Sequence, residues 1–269
     1  MNGKIVRIIS NLYTVKADKL YDCMARGKFR NLGIKPIVGD NVIFDAEKKW
    51  LMEIEKRKNE LHRPLIANID QALVVVSVKN PDLDLNLLDK LLCVIEFNNI
   101  EPIICFTKID LLENDKEVLE VKDYYKKIGY KIFDSRYLDE LKTIFKDKIT
   151  VFAGQSGAGK STLLNRLNSD LNLKTNEISL ALGRGKHTTR HVELHELYGG
   201  MCADTPGFSA IDFKDMSNSD IRDNMVEFNE HRHLCTYKDC MHVDEPNCAI
   251  KDNEEILQQR YDNYRKFIS

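Results

Sequence analysis

No charge dominates this chain. Its 40 Lys or Arg and 42 Asp or Glu nearly cancel over 269 residues, so net charge names no partner. Long hydrophobic runs are also missing: the longest, near Ala72 to Val78, is far too short for a membrane span and suits a buried strand. Charges interrupt every apolar run of the start, Met1 to Arg7, which therefore does not read as a secretory signal. There is no internal repeat and no low-complexity segment. Seven cysteines is an odd count, three of them cluster near one histidine at the C-terminal end, and without a secretory signal this favours metal binding over disulfides in a reducing cytosol. The expectation is a soluble cytoplasmic protein with no membrane contact, long enough for one sizeable core and one or two small satellites.

Charge is distributed less evenly than its total suggests. Residues 1–36 hold Lys4, Arg7, Lys16, Lys19, Arg26, Lys28, Arg30 and Lys35 against only Asp18 and Asp22, a net of +6. Short apolar runs (Lys4 to Ile9, Tyr13 to Ala17, Asn41 to Asp45) separated by Asn, Gly and Pro turns make residues 1–66 an all-β unit. Five or so strands in that length close most economically into a barrel of the oligonucleotide-binding (OB) type, with the basic segment on its binding face. A basic stretch that is merely a solvated face is the plainer alternative.

Residues 67–212 alternate apolar strands with amphipathic helices. Strands are expected at Gln71 to Val78, Pro102 to Phe106, Lys131 to Phe133 and Thr150 to Ala153, and helices at Leu83 to Asn98, Glu113 to Ile128 and Ser161 to Leu167. This is the rhythm of a doubly wound parallel sheet, an α/β fold whose ligands lie at the carboxyl ends of strands. Residues 213–269 are polar and expected to be mostly helical, with helices at Ser217 to His231 and Glu254 to Phe267.

The segment Gly154-Gln155-Ser156-Gly157-Ala158-Gly159-Lys160-Ser161 follows one strand and opens a helix. Its glycines let backbone N–H groups curl into an anion nest, Lys160 reaches β- and γ-phosphates, and Ser161, followed by Thr162, offers a hydroxyl to Mg²⁺. Asp204-Thr205-Pro206-Gly207 comes some forty residues later, Asp204 for a Mg²⁺-bound water and Gly207 N–H for the γ-phosphate. Thr107-Lys108-Ile109-Asp110 is the base-reading element of a GTPase, yet it precedes both motifs instead of following them. A sheet depends on which strands lie side by side, not on where the chain starts. The order therefore points to a circularly permuted GTPase.

Two customary residues are missing from this pocket. Asp110 can accept hydrogen bonds from guanine N1–H and the 2-amino group, which adenine does not offer, and Lys108 can lay its stem along the base. The usual Asn at the head of that motif is Thr107, which makes fewer bonds, and Ser135 stands where a second base-contacting loop belongs. The Gln that Ras-type GTPases use to orient water is Phe208, with no polar atom for the task. His187, in the basic Gly183 to Thr189 loop, is the candidate for positioning water, with Thr189 (or Thr188) completing the Mg²⁺ shell. The alternative is that His187 and Arg190 are RNA contacts.

Cys235, Cys240, His242 and Cys248 place four ligands within fourteen residues. Three thiolates and an imidazole make a closed tetrahedral Zn²⁺ site of the structural kind, whose binding supplies folding free energy. Cys23, Cys93, Cys105 and Cys202 sit in apolar contexts and read as core residues.

Together these residues resemble the ribosome small subunit-dependent GTPase A (RsgA) family, over nearly the whole chain. Val38-Gly39-Asp40, Arg63-Pro64, Ala67-Asn68-Ile69-Asp70-Gln71 and Gly185-Lys186-His187-Thr188-Thr189 add to the resemblance. It implies an OB barrel, a permuted GTPase and a zinc region acting in late maturation of the small ribosomal subunit. GTP hydrolysis would be stimulated by that subunit, with the residue matching His187 catalytic, and three RNA-facing modules suggest a monomer. Because the Asp204 to Phe208 switch leads into the zinc region, and the barrel into the first strand, γ-phosphate loss would move an RNA-gripping part. An ATP-using P-loop kinase and a static rRNA-binding scaffold with bound nucleotide are the rival classes.

Overall fold

The computed structural model describes residues 1–31, 33–62, 64–168, 192–203 and 212–269. Alternating inward and outward residues in the first segment form strands β1 (Asn2–Ile9), β2 (Leu12–Lys16) and β3 (Leu20–Ala25), then a short helix α1 (Gly27–Asn31), then β4 (Asn41–Asp45) and β5 (Trp50–Ile54). They close in the order β1-β2-β3-β5-β4, with β3 and β5 parallel, as in a five-stranded OB barrel. Ile5, Tyr13, Val15, Cys23, Phe29, Val42, Phe44 and Leu51 fill its interior.

A hairpin of β6 (Glu60–His62) and β7 (Leu65–Ala67) joins the barrel to the main sheet. Here the motif residues of the sequence find their purpose. Asp40, fully buried, accepts Arg57 Nε at 2.7 Å, Arg57 Nη2 at 2.9 Å and the Ile37 N–H at 2.8 Å. Asn68 accepts from Lys58 N–H and donates to Gly39 C=O. Gly39 has a φ of +90°, and a Cβ there would stand 2.0 Å from the Ala67 carbonyl, so only glycine lets the two segments touch.

The chain then builds β8 (Gln71–Ser77), α2 (Leu85–Phe97), β9 (Glu101–Thr107), α3 (Lys116–Lys127), β10 (Lys131–Asp134), α4 (Leu138–Lys142), β11 (Ile149–Ala153) and α5 (Lys160–Leu167). Strands β12 (Leu194–Leu197) and β13 (Gly200–Ala203) complete a six-stranded sheet in the order β10-β9-β8-β11-β13-β12. Five strands are parallel, as the βαβ rhythm requires. β12 is not: it pairs antiparallel with β13 through the tight Tyr198-Gly199 turn, so the sheet is mixed at one edge. The innermost strand β8 is buried along its whole length.

The C-terminal segment is less helical than its polarity suggests. Ser217 and Asp220 form a capping box that starts α6 (Asn218–Asp223), but Asn224 ends it, its side-chain amide donating to Asp220 C=O. A separate short α7 (Phe228–His231) follows, and the last helix, α8 (Gln258–Ile268), begins beyond a turn built on Asn253. Residues between are turns that serve a cysteine cluster. α2 is buried on two sides: Leu88, Leu91, Leu92 and Ile95 pack on the sheet, while Cys93 joins Ile221, Met225, Phe228 and Tyr264 of the C-terminal segment.

Candidate nucleotide site and metal cluster

Because β8, β9, β10, β11 and β13 are parallel, their carboxyl ends share one edge of the sheet. β11 ends at Ala153, one residue before Gly154, β9 at Thr107 and β10 at Asp134; β13 ends at Ala203, one residue before Asp204. The strands that lead into the permuted motifs thus end along one edge of the sheet.

The loop from Gly154 to Lys160 owes its shape to three left-handed glycines, at φ +125° (Gly154), +80° (Gly157) and +93° (Gly159). At Gly154 a Cβ would lie 2.1 Å from Val75 C=O, so the loop sits directly on β8. Lys160 opens α5 and its ammonium donates to the carbonyls of Gly154 (2.7 Å) and Gln155 (2.8 Å), which holds it at the mouth of the loop. Ser156, Gly157 and Thr162 are exposed, Ala158 is buried, and Ser161 is half-buried in the first turn of α5.

Base-reading and phosphate-binding elements are physically tied. The buried Thr107 hydroxyl donates to Ala158 C=O at 2.7 Å, and Lys108 Nζ donates to Gly157 C=O at 2.9 Å and to Asn80 C=O. Thr107 therefore performs a loop-holding role from its one hydroxyl. Lys108 takes a left-handed conformation that turns the chain into a short 3₁₀ turn, leaving Asp110 exposed with no hydrogen bond or ion pair among the described residues. Ser135 N–H donates to Phe106 C=O at 2.9 Å, which puts Ser135 next to Thr107. Its neighbour Asp134 is engaged with Arg136 and Lys122; burial works against its charge, but the hydrogen bonds from Arg136 outweigh it and hold the carboxyl below its ordinary range. His187, Thr189, Asp204 and Gly207 lie outside the described residues.

The sulfur and nitrogen atoms of Cys235, Cys240, His242 and Cys248 all lie within 4.8 Å of one another. His242 Nδ1 faces Cys248 Sγ at 3.4 Å and Cys235 Sγ at 3.6 Å. Ala249 N–H and Ile250 N–H donate to the sulfurs of Cys235 and Cys248. A left-handed backbone at His242 (φ +59°) turns the ring inward. Burial pushes the Cys240 thiol up to about 12 and the His242 imidazole down to about 4. Three soft donors and one imidazole, brought together by turns and supported by N–H groups, fit a tetrahedral metal ion that would itself deprotonate the thiols. The other four cysteines are buried, as core residues should be.

Two features escaped sequence reasoning. The turn after β8 reaches over the phosphate loop, with Pro81 Cδ 3.5 Å from where a Cβ on Gly157 would lie. Beneath α2, a buried ionic cluster joins distant segments: Arg260 (1% exposed) donates to Asp89 at 2.5 Å and to both oxygens of Glu227 at 2.5 and 3.0 Å. Asn263 and Tyr125 also donate to Asp89, and the guanidinium lies over the rings of Tyr125 and Tyr130. Burial pushes the Asp89 carboxyl up, against the pull of Arg260.

Known proteins match this architecture along its length. The family model "RsgA GTPase" matches residues 54–214, and "RsgA N-terminal domain" matches residues 2–50. The chain belongs to the RsgA GTPase family. RsgA 2 of Oceanobacillus iheyensis, a small ribosomal subunit biogenesis GTPase, is 47% identical over 280 residues, covering 99% of this chain and 96% of its own. The Bacillus subtilis RsgA is 45% identical over 286 residues, with 99% and 96% covered. Among solved structures, YloQ, described as a circularly permuted GTPase, superposes with a TM-score of 0.86 at 38% identity, covering 99% of this chain and 93% of its own. YjeQ from Thermotoga maritima gives 0.85 at 33% identity, with 99% and 96% covered.

As an RsgA-family member the chain is a GTP hydrolase, and GTP is its substrate. The RsgA barrel, the permuted sheet and a Cys₃His cluster able to hold a metal are all present in it. Among the described residues no helix is long and apolar enough to cross a membrane.

Proposed function

We propose that this GTPase acts in the cytoplasm, as a monomer, in late maturation of the small ribosomal subunit. The subunit stimulates its hydrolysis of GTP to GDP and phosphate, and nucleotide state governs binding to and release from rRNA. The observation that carries the nucleotide half of this reading is the Thr107 hydroxyl on Ala158 C=O, which fuses the base and phosphate loops into one pocket. The relatives' names carry the ribosomal half.

In this reading the N–H groups of Gly154 to Thr162 cradle the phosphates, and Lys160 exchanges its two carbonyl partners for β- and γ-phosphate oxygens. Thr107, Lys108, Asp110 and Ser135 hold guanine, and Gly207 contacts the γ-phosphate. Ser161, Thr189 and Asp204 would hold Mg²⁺, which would neutralise charge on the phosphates. His187 positions the attacking water, a task Phe208 cannot do. Cys235, Cys240, His242 and Cys248 would hold one structural Zn²⁺. Residues 1–66, 67–212 and 213–269 form the barrel, GTPase and zinc domains.

The barrel has a face suited to RNA. Ile9, Leu12, Met24 and Trp50 are successive cross-strand neighbours, forming a row flanked in sequence by exposed Arg26, Lys48 and Lys49. An apolar and aromatic row beside cations is how single strands are gripped by stacking and charge. Lys4, Arg7 and Lys16 of the +6 segment do not serve it. Lys4 donates to Asn41, and Arg7 and Lys16 pair with Glu193 and Glu196 of the main sheet.

Co-sedimentation with purified small subunits tests the cycle. Affinity is expected to be higher with a non-hydrolysable GTP analogue than with GDP. Equal affinity would refute it, because a ligand that does not distinguish two states cannot shift them.

A further inference from the structure

Two parts flank the GTPase sheet, and they are attached very differently. The C-terminal segment is fixed to α2 by a shared apolar core and the buried Arg260 cluster. The barrel meets the sheet's edge at a lighter seam. Arg7 and Glu193 form a single antiparallel backbone bridge; their side chains stand 3.6 Å apart, and Arg7 Nε is buried with no hydrogen-bond partner among the described residues. Lys16 Nζ meets Glu196 at 2.6 Å. Val6 of β1 shares the main core with Leu194 of β12, and Ile8 packs against both that core and the barrel's own.

Besides the β6–β7 junction, where Gly39 meets Ala67 and Val38 pairs with Ile66, the barrel touches the hairpin β12–β13, and this hairpin adjoins in sequence the segments that carry His187, Thr189 and Asp204. β13 runs directly into Asp204. β12 follows Thr189 and His187 by a few residues. The pairing of Leu194 with Ala203 sets those two junctions side by side at one end of the hairpin. β12 is the sheet's edge strand, paired to it through β13 alone, and a cavity of about 690 Å³ opens between its turn and the barrel, lined by Lys4, Asn41, Glu196, Tyr198 and Gly199. Half-exposed ion pairs are individually weak. The barrel seam is thus the lightly held side of this hairpin, whose Leu194 and Leu197 are buried in the cores of the sheet.

We propose that Arg7 and Lys16 of the barrel are positioning residues for subunit-stimulated GTP hydrolysis. Acting through Glu193 and Glu196, they set the hairpin from which the segments carrying His187, Thr189 and Asp204 depart. This rests on the functional reading above, in which those three residues serve the reaction. Linkage makes the device reciprocal for binding: nucleotide state alters how the barrel is seated, and whatever grips the barrel alters the balance between GTP-bound and GDP-bound protein. The stimulating signal thus has a route through β1, not only through the C-terminal segment.

Charge exchange tests this in the full-length protein. Arg7→Glu and Glu193→Arg, singly, should each lower subunit-stimulated kcat at least about fivefold, a barrier change of about 1 kcal/mol. Unstimulated kcat and the KM for GTP should stay within about twofold, and the double exchange should restore stimulation; Lys16→Glu with Glu196→Lys is an independent second pair. A subunit-free arm follows backbone hydrogen exchange at Val6 to Ile8, which should differ between GDP and a GTP analogue in the parent protein and become equal in Arg7→Glu. If wild-type turnover ignores the subunit while exchange behaves as stated, the ribosomal reading fails and the seam stands. If exchange is the same in both nucleotides, or the double exchange recovers nothing that the single changes lost, the seam has no positioning role.

Discussion

Replacing Arg260 by Met keeps an unbranched stem but removes the guanidinium over Tyr125 and Tyr130, leaving two buried carboxylates without their cation. Asp89 is fully buried and Glu227 is 3% exposed, so water cannot substitute for the guanidinium. Removing one partner from a buried ion pair costs about 3–5 kcal/mol. With two acceptors stranded, the upper end, about 5 kcal/mol, is expected. At about 2–4 °C per kcal/mol for a chain of this size, melting should fall by about 10–20 °C. The pH dependence has a definite sign. Burial already raises the Asp89 carboxyl above its ordinary value, and losing Arg260 raises it further. A group whose folded pKa is raised stabilises below its unfolded value, about 4, and loses that contribution as pH rises through the folded one. The deficit of Arg260→Met should therefore be largest at neutral pH and shrink as pH falls. Replacing Asp89 and Glu227 by Leu in the same protein should recover most of the loss, since the desolvated charges go with them. Scanning calorimetry at two pH values reads all of this. A melting temperature within about 3 °C of wild type, or a deficit that grows in acid, would refute the reasoning.

Asp110→Asn should weaken GTP binding about a hundredfold or more, while xanthosine triphosphate, whose 2-oxo group accepts from an amide, binds the variant better; equal GTP affinity would remove Asp110 from the base site. His187→Ala should lower subunit-stimulated turnover about a hundredfold with GTP affinity kept, and unchanged turnover would make His187 an RNA contact. Elemental analysis should find one zinc per chain, lost in Cys248→Ser together with a large drop in melting temperature; a metal-free wild type of equal stability would contradict a structural zinc.

What could be read from the sequence was what is local along it. Glycines at positions 154, 157 and 159 encode the phosphate loop because each meets a left-handed backbone. Cys235 to Cys248 can be read because four donors within one short segment must fold on one another. The helix from Leu85 to Phe97 shows itself by the spacing of its leucines. What was not legible depends on partners far away in the chain. Asp89 and Arg260 are 171 positions apart, and each alone looks like a charge turned to solvent. Lys4, Arg7 and Lys16 read as part of an RNA face because a sequence shows a charge but not what it faces; here Lys4 meets a barrel amide, and Arg7 and Lys16 meet Glu193 and Glu196 at the edge of the sheet. The antiparallel β12 was hidden for a similar reason. His195 and Glu196 make it look like a polar loop, and only pairing with β13 identifies it as a strand.

That pairing also bears on how nucleotide state is transmitted. The permutation places the C-terminal segment immediately after Gly207, which suggests it as the moving part. Its attachment to α2 argues that it moves with α2 if at all, whereas the barrel rests on the hairpin that the hydrolytic segments enter and leave.

Phosphate release from GTP, with and without purified small ribosomal subunits and with ATP as competitor, is the most direct measurement. Slow release alone, strong acceleration by the subunit and indifference to excess ATP are the predicted results. Tight GTP binding without acceleration would contradict a subunit-driven cycle and leave a nucleotide-bound scaffold, while competition by ATP would contradict the guanine site itself.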